Sequence, residues 1–427
     1  MKASEIINYI ESGNMDSKLR DIYLDESKLY YQKYRYIAAV KEFTALFGQE
    51  DKEVEIYSAP GRTEIGGNHT DHQHGQVLAA SINDDAIAIV TKSSDNNIKI
   101  KSKGYDIIEL SIDQKAKVDE EEGTTKALIR GILASVESRG YKLGGFKAFI
   151  TSDVLGGSGL SSSAAFETII VNIISGLFNN MEIDPVTIAI IGQYAENVYF
   201  GKPCGLLDQM TCSLGSLCHI DFKNPDQPII DKLSFDLDQV GYSLCITDTK
   251  GSHADLTHEY AAIPSEMKEV ASYFGKEFLI DVNMDDFMSA IPELRNIFSD
   301  RHVLRSLHFF YENQRAKDEA NALRDKDFNK FLLLIKASGD SSFKYLQNVY
   351  TNTDIKHQNL SIGLCISETI LGNDGACRVH GGGFAGTIQA FVKNEKVDEY
   401  KNQLDKVYGP GSCAVLKIRK YGGIKVL

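Results

Sequence analysis

The sequence predicts an α+β protein built from two domains. The chain has 427 residues, which is too many for one ordinary hydrophobic core. Hydrophobic residues make up 43% of it, which is enough to bury a sizeable interior. Strand patterns cluster in the first half and again near the end, and helical patterns lie mostly between them. This is α+β order and not a regular βαβ alternation.

The first half begins with helices and continues with strands. Residues 1–50 show helical patterns with charged faces, and we expect them to pack on the body as an extension. Phe146–Ile150 alternates as a half-buried strand does. Together with that segment, the predicted strands are residues 54–57, 86–90, 98–101 and 107–112, and the predicted helices run from about 125 to 139 and from about 164 to 178.

The second half predicts strands at residues 242–246, up to 381, 387–392 and 414–418, with several helices between 256 and 372 and one near 395–407. Asn, Pro, Asp and Gln residues at 224–228 break both periodicities, so we place the domain boundary there. The predicted division is an N-terminal helical extension at 1–50, a first domain at 51–228 and a second domain at 229–427.

Charge and cysteine usage restrict the possible functions. A formal net charge of -13 argues against a general binder of nucleic acid or anionic membranes, because neither surface attracts an acidic protein. The seven cysteines are scattered and form no CxxC pair, which indicates reduced thiols in the cytoplasm. The first residues do not resemble a signal peptide, and polar residues interrupt the most apolar helix, so we expect no membrane span.

A glycine- and serine-rich loop at residues 153–167 joins a predicted strand to a predicted helix. Glycines at 156, 157 and 159 allow close approach of a ligand to the backbone, and serines follow at 161–163. A helix that begins in the serines would direct its free N–H groups and its positive dipole end into the loop. Phosphate suits such a site. The plainer alternative is a glycine turn followed by a serine N-cap.

A second polar cluster, Ala59–Gly75, is predicted to form a turn after the strand at residues 54–57. It holds Arg62, Glu64, several glycines and three histidines, a composition that favours a ligand over a core. The histidines and Asp71 could in principle bind a metal, but their spacing matches no established helical zinc motif. A polar surface turn is the alternative.

Two further clusters lie later in the chain. Asp208 sits among apolar residues, where a carboxylate is either paired with a cation or used in proton transfer. Gly381–Gly386 forms a glycine-rich turn between two predicted strands, for which a tight hairpin is the alternative. The sequence contains neither a Walker A lysine nor a Rossmann fingerprint.

Taken in this order, the clusters resemble the signature motifs of the GHMP small-molecule kinases, and within them the galactokinase subfamily. The resemblance covers the chain from Tyr57 to Arg419. It implies a two-domain architecture with the active site in the cleft between the domains. It also implies phosphorylation of a sugar, most readily galactose, at its anomeric hydroxyl, with ATP as co-substrate and Mg²⁺ as cofactor.

The resemblance also assigns roles to residues. Asp208 would take or orient the hydroxyl proton, and Arg62 would assist and would stabilise charge on the transferring phosphoryl group. Ser163 and Glu196 match the Mg²⁺ ligands. The positions that match the nucleotide cradle are Gly157, Ser158, Gly159, Leu160, Ser161, Ser162 and Ser163. The positions that match sugar contacts are Asn68, His69, Asp71 and Tyr260.

Departures from the family pattern concentrate on the sugar side. Galactokinases usually carry glutamate where this chain has Asn68, and asparagine where it has Glu64. His380 stands where threonine is commoner, and residues 261–264 replace the usual paired arginines after Tyr260. An amide donates as well as accepts, whereas a carboxylate only accepts, so the hydroxyl pattern that is recognised could differ. N-acetylgalactosamine, arabinose and galacturonate are therefore alternative substrates, and a non-catalytic sugar sensor is an alternative function.

Overall fold

The structure is a computed structural model that describes residues 1–48, 52–154, 159–251, 256–352 and 354–427. Its strands are β1 Glu55–Gly66, β2 Gln76–Lys92, β3 Asn97–Ser102, β4 Ile107–Ser111, β5 Phe146–Ser152, β6 Leu217–Asp221, β7 Ile229–Leu233, β8 Tyr242–Asp248, β9 Ala376–His380, β10 Thr387–Lys393, β11 Cys413–Leu416 and β12 Ile424–Lys425. Its α-helices are α1 Ala3–Glu11, α2 Asp16–Tyr23, α3 Leu29–Phe47, α4 Thr125–Ser138, α5 Ser162–Asn179, α6 Pro185–Tyr194, α7 Leu207–Leu214, α8 Thr257–Tyr273, α9 Met284–Ile297, α10 Asp300–Arg324, α11 Phe328–Ser341, α12 Asn359–Leu371 and α13 Val397–Tyr408.

The larger sheet has the strand order β12-β1-β2-β5-β3-β4, and β6 and β7 extend it from β2. All of its pairings are antiparallel except that of β3 with β5. The long strand β2 serves two partners, because its residues 86–92 pair with β5 and its residues 76–80 pair with β6. Strands β6, β7 and β12 were not predicted.

The smaller sheet has the order β11-β8-β10-β9 and is antiparallel throughout. The predicted boundary at 228–229 falls between β6 and β7, which pair with each other in the larger sheet. The chain also returns to that sheet at β12, which pairs with β1. The division into domains by residue number stays a prediction.

Helix ends follow from local chemistry. Thr124 caps α4 by accepting a hydrogen bond from the N–H of Ala127, and Gly140 follows the helix with a φ of 84° that favours glycine. Asp184 caps α6 in the same way, with Pro185 in its first position. Among the described residues, no helix combines the length and the apolar composition that a membrane span needs.

The prediction that β5 is buried on one face only is wrong at Phe149, which is buried on the second face, whereas Lys147 and Thr151 on that face are partly buried. Ala148 and Ile150 pack with the apolar residues of α4 and α5 on one face. Phe149 packs on the opposite face against residues of the N-terminal helices, including Val40 and Phe43 of α3. The N-terminal extension therefore covers the face of the larger sheet that would otherwise meet water.

A buried network of charges holds this extension in place. Asp85 on β2 is fully buried and pairs with Arg35 of α3 at 2.7 Å and with Arg419 at 3.0 Å. The hydroxyl of Tyr23 also donates to Asp85, at 2.9 Å. Three segments that are distant in sequence are thus joined at one carboxylate. Arg35 also pairs with Asp153, at 3.0 Å, just before the serine-rich loop.

Candidate active site

Arg62 and Asp208 meet in an ion pair although 146 residues separate them in the sequence. Arg62 lies on β1, and Asp208 lies in the first turn of α7. The Nε of Arg62 donates to Oδ1 of Asp208 at 2.7 Å, and its Nη1 donates to the carbonyl of Gly159. The structure therefore brings the two residues that were predicted to be catalytic together, beside the serine-rich loop.

The pKa of Asp208 lies below its usual value. Desolvation would raise this pKa, but the charge and hydrogen bond of Arg62 and the hydroxyl of Ser161 outweigh it. Asp208 is therefore ionised at neutral pH, and 37% of its side chain reaches solvent. Burial alone would lower the pKa of Arg62, but Asp208 raises it, so this side chain keeps its positive charge.

Ser161 links the serine-rich loop to Asp208. Its Oγ donates to Oδ2 of Asp208 at 2.5 Å. Its backbone is left-handed, with a φ of 60°, a conformation that costs a non-glycine residue about 1–2 kcal/mol and that recurs at functional sites. It is the N-cap of α5, and no described side chain caps that helix start, so the first N–H groups are free to bind an anion.

Four of the remaining predicted cradle residues are described by the structure. Gly159 and Leu160 contact Arg62 through their carbonyl oxygens, and Leu160 also packs its side chain in the core. Ser162 and Ser163 open α5. The predicted cradle residues Gly157 and Ser158 lie outside the described residues.

Ser163 and Glu196 lie side by side, with 3.5 Å between Oγ and Oε1. Glu196 stands in a π-helical turn, Ala195–Phe200, an irregularity that is frequent at functional sites. Lys202 places its ammonium 3.0 Å from Oε1 of Glu196. The amide of Gln209 donates to the other oxygen of Glu196 at 2.7 Å.

Glu167 and Gln209 extend this oxygen-rich cluster. The amide of Gln209 also donates to Glu167 at 3.1 Å, and Oε1 of each of these two residues is buried without a hydrogen-bond partner among the described residues. Burial, and then the charge of Glu196, raises the pKa of Glu167 well above its usual value. Hydroxyl, carboxylate and amide oxygens are the donors that a hard cation prefers. The residues therefore fit Mg²⁺, although the described residues contain no cluster of three or more His, Cys, Asp or Glu side chains suited to a metal.

The glycine-rich turn at 381–383 receives hydrogen bonds from three predicted sugar contacts. Asn68 donates to the carbonyl of Gly381 at 2.8 Å. His69 lies 3.1 Å from the carbonyl of Gly382, and Tyr260 donates to the carbonyl of Gly383 at 2.7 Å. A Cβ on Gly381 would lie 4.0 Å from Nη2 of Arg62, so the turn stands next to the Arg62–Asp208 ion pair.

His69 is neutral and has one nitrogen to spare. Because a carbonyl only accepts, Nε2 of His69 must carry the proton that it shares with Gly382, which leaves Nδ1 as an acceptor. That nitrogen is buried and has no hydrogen-bond partner among the described residues. Burial, reinforced by His72, lowers the pKa of His69 to about 3.

Asp71 is placed differently from the other predicted sugar contacts. Its Oδ2 accepts a hydrogen bond from the N–H of Leu207 at 3.2 Å, at the start of α7. A Cβ on Gly205 would lie 1.8 Å from the same oxygen, so only glycine allows this approach. Asp71 thus fixes the beginning of the helix that carries Asp208.

Asn68 is fully buried, and its amide is saturated by protein groups. Its NH₂ group donates to Glu64 at 2.9 Å as well as to Gly381. Its oxygen accepts from Asn348 at 2.8 Å and from Ser342 at 3.3 Å. A direct sugar contact by Asn68 stays a prediction, and it would require one of these four hydrogen bonds to be exchanged.

Glu64 joins the two sheets. Its Oε1 accepts from Arg378 of β9 at 2.8 Å as well as from Asn68. Burial raises the pKa of Glu64 to about 7, although Arg378 opposes this shift. Next to it, His380 accepts from the N–H of Glu64 through Nε2, so its Nδ1 is the nitrogen that donates to Thr387, at 2.9 Å.

Sequence reasoning missed several members of this site. Glu64 was noted only as a departure from the family pattern, and Glu167, Lys202 and Gln209 were given no role. Glu64 could have been identified from the sequence. It lies two positions after Arg62, and residues two positions apart on a strand have their side chains on the same face. The other three side chains give no such signal, because only the fold brings them to Glu196.

Comparisons with known proteins show the family to which the chain belongs. A family model described as the galactokinase galactose-binding signature matches residues 41–92, and one described as the N-terminal domain of GHMP kinases matches residues 127–216. A galactokinase of Glaesserella parasuis is 30% identical over 373 residues, which cover 86% of this chain and 92% of that protein. The chain belongs to the galactokinase family. A galactokinase of Clostridium tetani is 27% identical over 379 residues, which cover 86% of this chain and 91% of the relative.

Solved structures support the fold of this galactokinase family member. The structure of Lactococcus lactis galactokinase complexed with galactose matches with a TM-score of 0.79 and 24% identity, over 92% of this chain and all of that one. Methanococcus jannaschii mevalonate kinase matches with a TM-score of 0.61 and 16% identity, over 86% of this chain and 99% of that one. The predicted α+β, two-domain GHMP architecture is therefore confirmed, as is the prediction of a galactokinase-like phosphotransferase.

Proposed function

We propose that this chain transfers the γ-phosphoryl group of ATP to the anomeric hydroxyl of galactose, giving galactose 1-phosphate and ADP. The observation that carries the proposal is the Arg62–Asp208 ion pair, 2.7 Å long, beside the start of α5. The relatives that share most of their length with this chain are named galactokinases, which supports galactose as the substrate.

In the proposed mechanism Asp208 orients the sugar hydroxyl. The hydroxyl oxygen attacks the γ-phosphorus, the bond between that phosphorus and the bridging oxygen of ADP breaks, and the hydroxyl proton leaves towards Asp208. Because the pKa of Asp208 lies below its usual value, an early transfer of the proton to it is unfavourable. Asp208 thus acts mainly through its negative charge. It takes the proton only after the bond between the sugar oxygen and phosphorus has begun to form, because this bond makes the sugar oxygen less basic. Arg62 stabilises charge on the transferring group.

The proposed metal site consists of Ser163 and Glu196. Bound Mg²⁺ would neutralise charge on the nucleotide phosphates, which is a large part of what phosphoryl transfer requires. A hydroxyl and one carboxylate suit this ion, since Mg²⁺ often keeps water and phosphate oxygens as its other ligands. Lys202 pairs with Oε1 of Glu196 at 3.0 Å, so a bound cation would share this carboxylate with the ammonium or displace it. Gln209 holds its second oxygen in place.

The proposed sugar site lies at the glycine-rich turn. Nδ1 of His69 is an acceptor ready for a sugar hydroxyl, because it is buried and has no partner among the described residues. Tyr260 and Asp71 are proposed to line the same site. A cytoplasmic location, and small molecules in place of nucleic acid or membrane as partners, stay predictions.

A coupled assay of ADP release over a panel of free sugars tests the proposal. We expect turnover with ATP and Mg²⁺ to be highest on galactose among galactose, N-acetylgalactosamine, arabinose and galacturonate. Turnover on another sugar alone would reject galactose as the substrate. ATP binding without turnover on any sugar would reject catalysis and would favour a sensor.

A further inference from the structure

Two departures from the family pattern on the sugar side touch each other. Glutamate and asparagine have exchanged positions relative to the usual galactokinase motif, as Glu64 and Asn68. In the structure Nδ2 of Asn68 donates to Oε1 of Glu64 at 2.9 Å. The two departures therefore form one hydrogen-bonded pair in this chain.

The exchange moves the carboxylate to the strand that carries Arg62. Residues 62, 63 and 64 of β1 pair in regular register with residues 81, 80 and 79 of β2. Because side chains alternate along a strand, Glu64 and Arg62 lie on the same face. Glu64 thus stands on the face of β1 that holds the catalytic pair, and the charges of Arg62, Asp71 and Asp208 all act on it.

The two residues differ in what they can still bind. All hydrogen-bonding groups of the Asn68 side chain are taken by Glu64, Gly381, Asn348 and Ser342. Glu64 uses only Oε1, for both Asn68 and Arg378, and no described residue donates to Oε2. The Glu64 side chain is 7% exposed to solvent, whereas Asn68 is fully buried.

We propose that the carboxylate of Glu64, and not the amide of Asn68, accepts a hydrogen bond from a sugar hydroxyl in this chain. Asn68 and Arg378 are then positioning residues that hold the Glu64 carboxylate. The inference rests on the proposed function, because it assigns a specificity role within the same sugar site. Arg378 is fully buried and also donates to the carbonyl of Ile65 at 2.8 Å, so it fixes both the backbone and the carboxylate.

The test pairs enzyme variants with substrate variants. Glu64→Gln removes the ionisable carboxyl group but keeps an oxygen for Asn68 and Arg378. With galactose we expect kcat/KM to fall at least about tenfold, because the amide replaces the accepting oxygen Oε2 by an NH₂ group that cannot accept a hydrogen bond from the sugar. We expect the KM for ATP to stay within about twofold, because Glu64 does not touch the start of α5.

Monodeoxy-galactoses, each lacking one hydroxyl other than the anomeric one, identify the contact. With one of these sugars the penalty of Glu64→Gln should vanish, because the partner hydroxyl is already gone. An equal penalty on every deoxy sugar would show that Glu64 is only structural and would overturn the proposal. Glu319→Gln is the matched control, because Glu319 is a buried acid packed on Gly66 of the same strand, and its penalty should not vary among the sugars.

A double exchange tests the positioning role of Asn68. Asn68→Glu alone brings a second carboxylate against Glu64, and we expect it to lower kcat/KM. Glu64→Asn with Asn68→Glu restores the usual arrangement, and we expect it to recover most of that loss. If kcat/KM of the double variant is no higher than that of Asn68→Glu alone, the proposed positioning of Glu64 by Asn68 is refuted. If the unmodified protein phosphorylates no sugar, the proposed function fails; if it does and Glu64→Gln is neutral, only this inference fails.

Discussion

Replacing Asp208 by asparagine should separate catalysis from nucleotide binding. The substitution keeps the size of the side chain but removes the charge that faces Arg62 and places an NH₂ group or a neutral oxygen against Ser161. A contribution of a positioned acid–base group is about 10²–10⁴-fold, so we expect kcat to fall by about that factor. This corresponds to roughly 3–5 kcal/mol of activation free energy.

The same variant should lose only modest stability. Two charge-assisted hydrogen bonds become neutral or are lost, at roughly 1 kcal/mol each, so the free energy of unfolding should fall by about 2 kcal/mol. Affinity for a non-hydrolysable ATP analogue, measured by titration calorimetry, should change less than about threefold, because α5 and Glu196 are untouched. The matched control is Asp374→Asn, whose half-exposed carboxylate pairs with Lys393 and Lys396 at the surface. It should leave both kcat and the midpoint of denaturant unfolding unchanged within the error of the measurement, because an exposed ion pair contributes little.

Two results would refute this reasoning. A loss of ATP affinity as large as the loss of kcat would show that Asp208 serves the nucleotide and not the sugar hydroxyl. A kcat within about tenfold of the unmodified enzyme would show that positioning by Arg62 and by the metal suffices without the carboxylate.

Three more predictions concern the metal, acid stability and the N-terminal extension. Glu196→Gln should raise the Mg²⁺ concentration for half-maximal rate at least about tenfold in a magnesium titration, and an unchanged value would reject Glu196 as a ligand. His69→Gln should reduce the loss of stability between about pH 6.5 and 3, because the unfolded chain takes up a proton in that window and buried His69, with its pKa lowered to about 3, does not. Chemical denaturation at several pH values measures this, and the reduction should reach up to about 1.4 kcal/mol per pH unit. Arg35→Met should cost about 3–5 kcal/mol in denaturant unfolding, because it leaves buried Asp85 with one cation fewer, and a cost below about 1 kcal/mol would contradict the network.

Periodicity in the sequence predicted long helices well but recovered only part of the two longest strands. The strand predicted at 54–57 covers only the start of β1, whose residues 60–66 were predicted to lie in a turn, and the strand predicted at 86–90 covers only part of β2. Helices α4 and α5 lie within a few residues of their predicted bounds. Strand β7 was missed because none of its five residues is buried, so it shows no apolar alternation. Strand β12 has two residues, which is too short for any pattern. The error at β5 has a tertiary cause, since helices distant in sequence cover its second face.

The candidate site could be predicted only in part. Arg62 and Asp208 stand in motifs that resemble a known family, so their roles could be proposed before their 2.7 Å contact was known. The contact between Ser161 and Asp208 joins positions 47 residues apart, and that between Glu64 and Arg378 joins positions 314 apart. Such contacts depend on the tertiary packing of distant segments, which local sequence patterns do not predict.

The return of the chain to β1 has a consequence for biosynthesis. Tyr57 and Ser58 pair with Lys425 and Ile424, so one edge of β1 stays without its partner strand until residues 424 and 425 have left the ribosome. Arg419, which neutralises Asp85 in the interior, emerges equally late. A nascent chain stalled before residue 419 would expose the edge of β1 and would leave Asp85 without the charge of Arg419. Both features favour incorrect strand pairing or binding by chaperones. Completion of the larger sheet thus waits for the synthesis of β12.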